Sequence, residues 1–178
     1  MVALRDATGE RVLLHLLSGR DRVCIEEIRG AVDDAPPVLG HAHPLYIGPA
    51  GHVFMAHLPD HDARQVLAEG QRSGQLRAHD AATLSRRLDD IRLHGFALGR
   101  HGRPVQNSLA VPVRNFTGAV IAVIAIEGTP SRWSDRRMRS FTAEAMEEAA
   151  SASIELGYVS RAAFARPAAR RPRRARRR

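Results

Sequence analysis

The chain contains no lysine: all 27 of its basic residues are arginine, set against 19 acidic residues in a length of 178. Nine of those arginines (Arg161, Arg166, Arg170, Arg171, Arg173, Arg174, Arg176, Arg177, Arg178) follow the last acid, Glu155. The remainder holds 18 arginines against 19 acids, so the formal charge of +8 belongs to the C-terminal tail and the rest of the chain carries −1. That balance excludes a globular surface that binds nucleic acid by bulk charge. A single cysteine, Cys24, excludes an intrachain disulfide framework and suits a reducing, cytoplasmic setting. Between Val23 and Ile25 it reads as a small buried strand residue rather than a nucleophile. No apolar run approaches the ~20 residues of a membrane span, and the N-terminus lacks the layout of a signal peptide. The length suits one domain able to bury a core, plus an appendage.

The motifs of catalysis are also missing. There is no serine elbow, no paired metal-ligating helix motif and no glycine-rich phosphate loop. Gly95, Gly99 and Gly102 follow a helical pattern rather than a strand, opposite to the dinucleotide-binding context. No nucleophile–base pair suggests itself, so the chain reads as a non-enzyme without a cofactor. His41, His43, His52, His57 and His61 crowd into a short stretch. Zinc needs three or four converging ligands, and His52 and His57, five apart in a helical pattern, do not share a face. These histidines read as solvated or capping residues, and no metal is expected.

What is present centres on Ser108 to Gly128. Ala119 to Ile126 is a run of eight apolar residues, largely β-branched and bracketed by Gly118 and Gly128, which reads as a central strand covered on both faces. Leu109 to Val113 is a second strand, and Arg114 to Gly118 a polar connector, so the two form a hairpin at the heart of a sheet. Upstream, Arg11 to Leu17 and Arg22 to Ile28 are strands joined by Ser18-Gly19-Arg20-Asp21, and Met1 to Ala7 reads as a helix end. Gly30 to Pro44 is a loop or irregular edge strand. A two-turn helix opens at Gly48-Pro49-Ala50-Gly51. The next is capped by Asp60 or Asp62 and closed by Gly70, and a clearer one covers Leu84 to His94 with Gly95 as its stop. Phe96 to Pro104 reads as a loop. Ser134 caps a long final helix whose apolar period runs through Met138, Phe141, Ala145, Ala149, Ala152 and Leu156, with Gly157 as its end. From Ser160 onward Arg, Ala and Pro dominate without apolar period, which predicts a disordered tail over 159–178 behind a domain over 1–158. The pattern is α+β.

Three stretches, in order, carry a resemblance. Pro44-Leu45-Tyr46-Ile47-Gly48-Pro49-Ala50-Gly51-His52, then Leu88 to Ala97, then Ala110-Val111-Pro112-Val113 with Gly118, Gly128 and Arg132, are similar to the effector-binding domain of IclR-type transcriptional regulators. The resemblance covers about Leu4 to Tyr158. It implies a GAF-like central antiparallel sheet with helices on its faces and a pocket for a small-molecule metabolite. It also implies self-association as a dimer or tetramer, or association with full-length relatives. The family's N-terminal winged helix-turn-helix domain has no counterpart here, so this chain alone is not expected to bind DNA sequence-specifically. Arg170, Arg171, Arg173, Arg174, Arg176, Arg177 and Arg178 could contact phosphates without sequence preference, or the tail could have no role. The alternative to a sensor is a ligand-free interaction module, or the remnant of a truncated regulator.

Carried over residue by residue, the family's pocket falls at Pro49, Ala50, Gly99, Ser108, Ala125 and Glu127, and Gly51 joins this ligand-binding set at the helix start. The helix start supports part of this set, because its free backbone N–H groups suit a polar ligand atom. Period-two geometry supports more: Ala125 and Glu127 share one strand face. Members of the family that sense small acids carry serines where Ala125 and Glu127 stand, a cysteine at Ser108 and an acid at Gly99, and the family's lysine is His52 here. A carboxylate at Glu127 predicts a pocket that rejects small acids and favours a neutral or cationic ligand. The other reading turns Glu127 outward to pair with Arg132 or Arg136.

Overall fold

The computed structural model describes residues 1–33 and 35–159. In chain order the elements are α1 (Val2–Thr8), β1 (Arg11–Ser18), β2 (Asp21–Ile28), β3 (Ala42–Pro44), α2 (Gly48–His57), α3 (Asp60–Arg72), α4 (Ala78–His94), β4 (Ala97–His101), β5 (Gln106–Arg114), β6 (Val120–Gly128), α5 (Asp135–Ser140) and α6 (Thr142–Glu155). The six strands form one antiparallel sheet in the order β3-β2-β1-β6-β5-β4. The arrangement is an α+β sheet covered by helices on both faces.

The apolar run of β6 explains the layering. Val123 and Ala125 point to one face, where they pack with Leu13 of β1, Ala110 of β5 and the Val53 and Phe54 side chains of α2. Ile124 and Ile126 point to the other, against Val12, Leu109, Trp133, Met138 and the alanines Ala145 and Ala149 of α6. Two cores therefore share one sheet, and only a strand apolar at every position can serve both. α2, α3 and α4 close the first core, and α1, α5 and α6 the second.

Several local expectations change. Phe96 to Pro104 is not all loop: Ala97 to His101 forms the edge strand β4, held by register to β5 from Ala97 opposite Ala110 to His101 opposite Gln106. Asp60 and Asp62 do not cap α3, whose N-cap is Pro59, and lie in its first turn, where a carboxylate favours the helix dipole. Gly70 does not close α3 but lies within it, where a Cβ would come 3.0 Å from the Tyr46 ring. The long final helix is two helices broken at Phe141. Ser134 does cap the first, accepting from the Arg137 N–H, and Gly157 follows the second with φ +81°. Leu156, at the end of the apolar period, is exposed. The expected tail over 159–178 lies, but for Val159, outside the described residues.

Candidate functional site

One row of the sheet gathers the polar chemistry. Arg11 on β1 stands opposite Glu127 on β6, Glu127 opposite Ser108 on β5, and Ser108 opposite Gly99 on β4. The next row on the same face is small and apolar, with Leu13, Ala125, Ala110 and Ala97 in register. Ala125 and Glu127 share a strand face as their alternation predicts, and the β5–β6 register adds Ser108 to them on the face covered by α2.

The start of α2 fills the β4 end of this face. A Cβ on Gly99 would lie 3.2 Å from Cγ of Pro49, and one on Gly51 would collide with the backbone carbonyl of Leu45. Ala50 is buried. Pro49, Ala50, Gly51 and Gly99 therefore meet one another and the segment before the helix. Gly51 serves a close backbone approach within the protein.

Beside that helix start lies a cavity of about 250 Å³. Its floor is the β1–β2 hairpin and the end of β6, with Leu13, His15, Arg22 and Glu127; its cover comes from the segments before β3, after β3 and after β4, with Val38, Ile47 and Pro104. Of the seven expected ligand-binding positions, Glu127 is the one that lines it.

Glu127 faces inward and is held from two sides. Its Oε2 accepts from Arg11 Nη2 at 3.2 Å and its Oε1 from His101 Nε2 at 2.8 Å. Burial pushes its pKa up, but the hydrogen bond and charge of His101 and the charge of Arg11 outweigh burial and bring it down to about 2. The outward pairing does not occur: Arg132 instead bonds Glu10 at 3.2 Å. Arg11 also lies 3.3 Å from Glu27 and 3.8 Å from Asp33, and donates to the Pro36 carbonyl. Glu127 is thus an ionised carboxylate whose charge is compensated by Arg11 and His101.

His15 and Arg22 differ from this satisfied network. His15 is 2% exposed, and neither ring nitrogen has a hydrogen-bond partner among the described residues. Desolvation, with the charge of Arg22 adding to it, lowers its pKa to about 3, so it is a neutral imidazole. Arg22 is 3% exposed and donates from Nη1 to the Pro44 carbonyl at 3.2 Å, while its Nε has no partner among the described residues. Ser108 Oγ is likewise buried without one.

The histidines of the crowded stretch separate. His52 donates to the Tyr46 carbonyl, and burial lowers its pKa to about 4. His57 donates from Nδ1 to Val53 and accepts at Nε2 from Arg114. His41 and His43 stack loosely near β3, with ring centroids 6.4 Å apart. Among the described residues no group of three or more His, Cys, Asp or Glu converges as a metal site. Cys24 is buried, and desolvation raises its thiol to about 11, which leaves it unreactive at neutral pH.

Reading the sequence alone missed Arg11, His15 and Arg22. The signal was available in the run Arg11-Val12-Leu13-Leu14-His15, where period two puts Arg11 and His15 on the face of Leu13. A charged residue on the inward phase of a strand is a candidate for a buried site.

Comparison with known proteins follows the same outline. Residues 1–154 match the family model described as the bacterial transcriptional regulator IclR C-terminal domain. The chain is 29% identical to the HTH-type transcriptional regulator XynR of Escherichia coli over 166 residues, covering 89% of this chain and 64% of that protein. It is 30% identical to the HTH-type transcriptional regulator BhcR of Paracoccus denitrificans over 156 residues, covering 82% of this chain and 54% of that protein. The chain thus spans between about half and two thirds of these curated relatives. Among solved structures, the C-terminal domain of the E. coli transcriptional regulator KdgR superposes with TM-score 0.70 at 25% identity, over 89% of this chain and 94% of that one. The IclR protein of Thermotoga maritima gives TM-score 0.73 at 22% identity, over 88% of this chain and 65% of that one.

Proposed function

Since the chain belongs to the IclR family of bacterial transcriptional regulators through their C-terminal domain, we propose that it senses a small-molecule effector in the cavity beside α2 and passes the result on through self-association. The observation that carries this is the cavity itself: about 250 Å³, floored by ionised and neutral polar groups that are almost wholly buried. Small-ligand sites have this character, mostly apolar walls with a few convergent polar groups. The volume is below the ~300–1,000 Å³ of drug-sized ligands, which points to a compact metabolite.

DNA contact is supplied, in this reading, by a helix-turn-helix segment joined to this domain or carried by a partner, since the curated relatives are named as HTH-type regulators. The relatives are regulators rather than enzymes. Among the described residues no helix is long and apolar enough to cross a membrane, and the reading places the domain's work in the cytoplasm. Nonspecific phosphate contact by Arg170 to Arg178 remains part of the proposal and lies outside the described residues. The ligand-free interaction module is favoured by one feature, the exposed Phe116, Ile154 and Leu156 near the end of α6.

A thermal-shift screen of small metabolites tests the choice. A compound that binds only the native state at 100 times its Kd stabilises by about 2.7 kcal/mol. The expected result is a compound class that raises the melting temperature of the wild type but not of Leu13→Trp, which fills the cavity floor. A shift unaltered by that variant would move the site elsewhere, and a screen without any stabilising compound would favour the interaction module.

A further inference from the structure

His52 is 8% exposed and keeps one polar atom unsatisfied. Its Nε2 lies 3.1 Å from the Tyr46 carbonyl, which can only accept, so Nε2 carries the ring proton and Nδ1 is a bare lone pair. Nδ1 has no partner among the described residues. A buried acceptor left in that state is costly. Burial keeps the ring neutral, so Nδ1 does not take up a proton at neutral pH. The ring forms part of the wall of a second cavity, of about 200 Å³, where α4 lies over the start of α2. This cavity shares no lining residue with the one floored by Leu13 and His15. Asp80, Thr83, Leu84 and Arg87 line it from α4, and steps of three and four residues put them on one helix face. Thr83 Oγ accepts from Arg86 at 3.5 Å and keeps its own proton to donate. The Tyr46 hydroxyl is already engaged with Gln75, so Tyr46, Leu76 and Leu84 supply the apolar part of the wall. One carboxylate and one guanidinium leave the site without net charge.

We propose that this second cavity binds a small neutral polyol, one hydroxyl of which donates to His52 Nδ1 and accepts from Arg87, with further hydroxyls on Thr83 and Asp80 and the carbon chain against Tyr46, Leu76 and Leu84. The group that completes His52 must be a donor. An ionised carboxylate brings no proton, and an ammonium cannot accept from Arg87 and sets like charge against it. A hydroxyl does both. Water does both as well, but it fills only about 30 Å³ and leaves the apolar walls without contact. A short chain of hydroxylated carbons occupies the polar and the apolar parts together. The inference stands apart from the effector cavity and does not depend on that reading.

The test uses the full chain and probes matched in carbon count: erythritol, butylammonium and butyrate, with xylitol as a longer polyol. Polyols raise melting temperatures by exclusion from protein surfaces, so binding is read from the ring-nitrogen and backbone amide resonances of isotopically labelled protein. Erythritol or xylitol is expected to shift the His52 Nδ1 resonance saturably, and equally in Leu13→Trp, whose substitution lies in the other cavity. The affinity is expected to fall about tenfold in Arg87→Met and in His52→Phe. It should fall less in His52→Gln, whose amide offers both a donor for Tyr46 and an acceptor. Arg87 is exposed, so Arg87→Met decides the matter where His52→Phe does not fold. Polyol binding unchanged in Arg87→Met would overturn the inference. Its loss in Leu13→Trp would do the same and move the polyol to the effector cavity. Butylammonium or butyrate binding as well as the polyols would overturn the ligand class. No saturable shift from any probe would leave water as the partner of His52 and overturn the inference, while the effector reading stood untouched.

Discussion

A carboxylate that is 4% exposed stays ionised only with positive charge in reach, and Glu127 has Arg11 and His101 in direct contact. Its pKa is held down from 4.5 to about 2, while burial lowers His15 from 6.5 to about 3 and His52 from 6.5 to about 4. All three shifts have the same sign for stability. Between the folded and unfolded values the unfolded chain binds more protons than the native one, so stability rises with pH across that interval. The two histidines act as pH falls from 6.5 towards 4, and Glu127 adds its share below 4.5. Urea unfolding at a series of pH values should therefore show the midpoint dropping steadily from pH 7 to pH 4. His15→Phe should flatten the upper part of that drop, since an uncharged ring of similar shape has nothing to protonate. A midpoint that held level down to pH 5 would show that these histidines are more hydrated than their burial indicates.

At the scale of the element, α6 is tied to the sheet by one hydroxyl. Ser153 Oγ donates to the Ala149 carbonyl at 2.6 Å and accepts from the Arg114 backbone N–H at 2.9 Å, just where the register of β5 against β6 shifts. Ser153→Ala would leave that N–H without its partner, and a lost buried partner costs about 1–3 kcal/mol. The expected reading is a lower denaturant midpoint with an unchanged slope. Elements of this kind were unevenly visible from sequence. The β5–β6 hairpin was legible because Ala119 to Ile126 is an unbroken apolar run inside two glycines, and α4 because Leu84, Leu88 and Ile91 repeat on one face. β4 was not, because Gly99, Arg100 and His101 carry no strand signal of their own and take their conformation from the ladder to β5. The break between α5 and α6 falls inside an unbroken apolar period. It comes from Phe141, whose N–H lies 3.3 Å from both the Arg137 and Met138 carbonyls and whose ring packs 5.8 Å from Trp133. In the site, alternation placed Ala125 and Glu127 on one strand face, but Ser108 joins them only through the β5–β6 register, and the partners of Glu127 come from β1 and from the end of β4, which no local pattern in β6 announces.

Across the whole molecule, the two cores are complete within the described residues, and the basic excess of the chain lies beyond them. Removing residues 160–178 is therefore expected to leave the melting temperature unchanged. Sedimentation of the truncated and full chains should show the same dimer or larger species, because the exposed Phe116, Leu93 and Ile154 and the edge strands β3 and β4 all lie within the part that is kept. Nucleic-acid retention should disappear with the tail and weaken steeply with salt before that. A truncated chain that unfolded without cooperativity, or sedimented as a strict monomer while the full chain did not, would assign the tail a structural part.

The strand order has a further consequence, in the timing of backbone exchange with solvent. β1 and β6 are flanked by strands on both sides and sandwiched between both cores, so their amides should open to deuterium only when the whole domain unfolds. β3 is three residues long and sits at the sheet's edge, with Ala42 exposed and His43 and Pro44 half-buried. Its amides should exchange orders of magnitude sooner, through local fraying that leaves the rest intact. His43 of β3 and Ile47 just after it stand in the cavity wall. The least protected segment of the sheet is thus also a side of the chamber, so a compound bound there is expected to slow exchange in β3 before it alters that of β1 or β6.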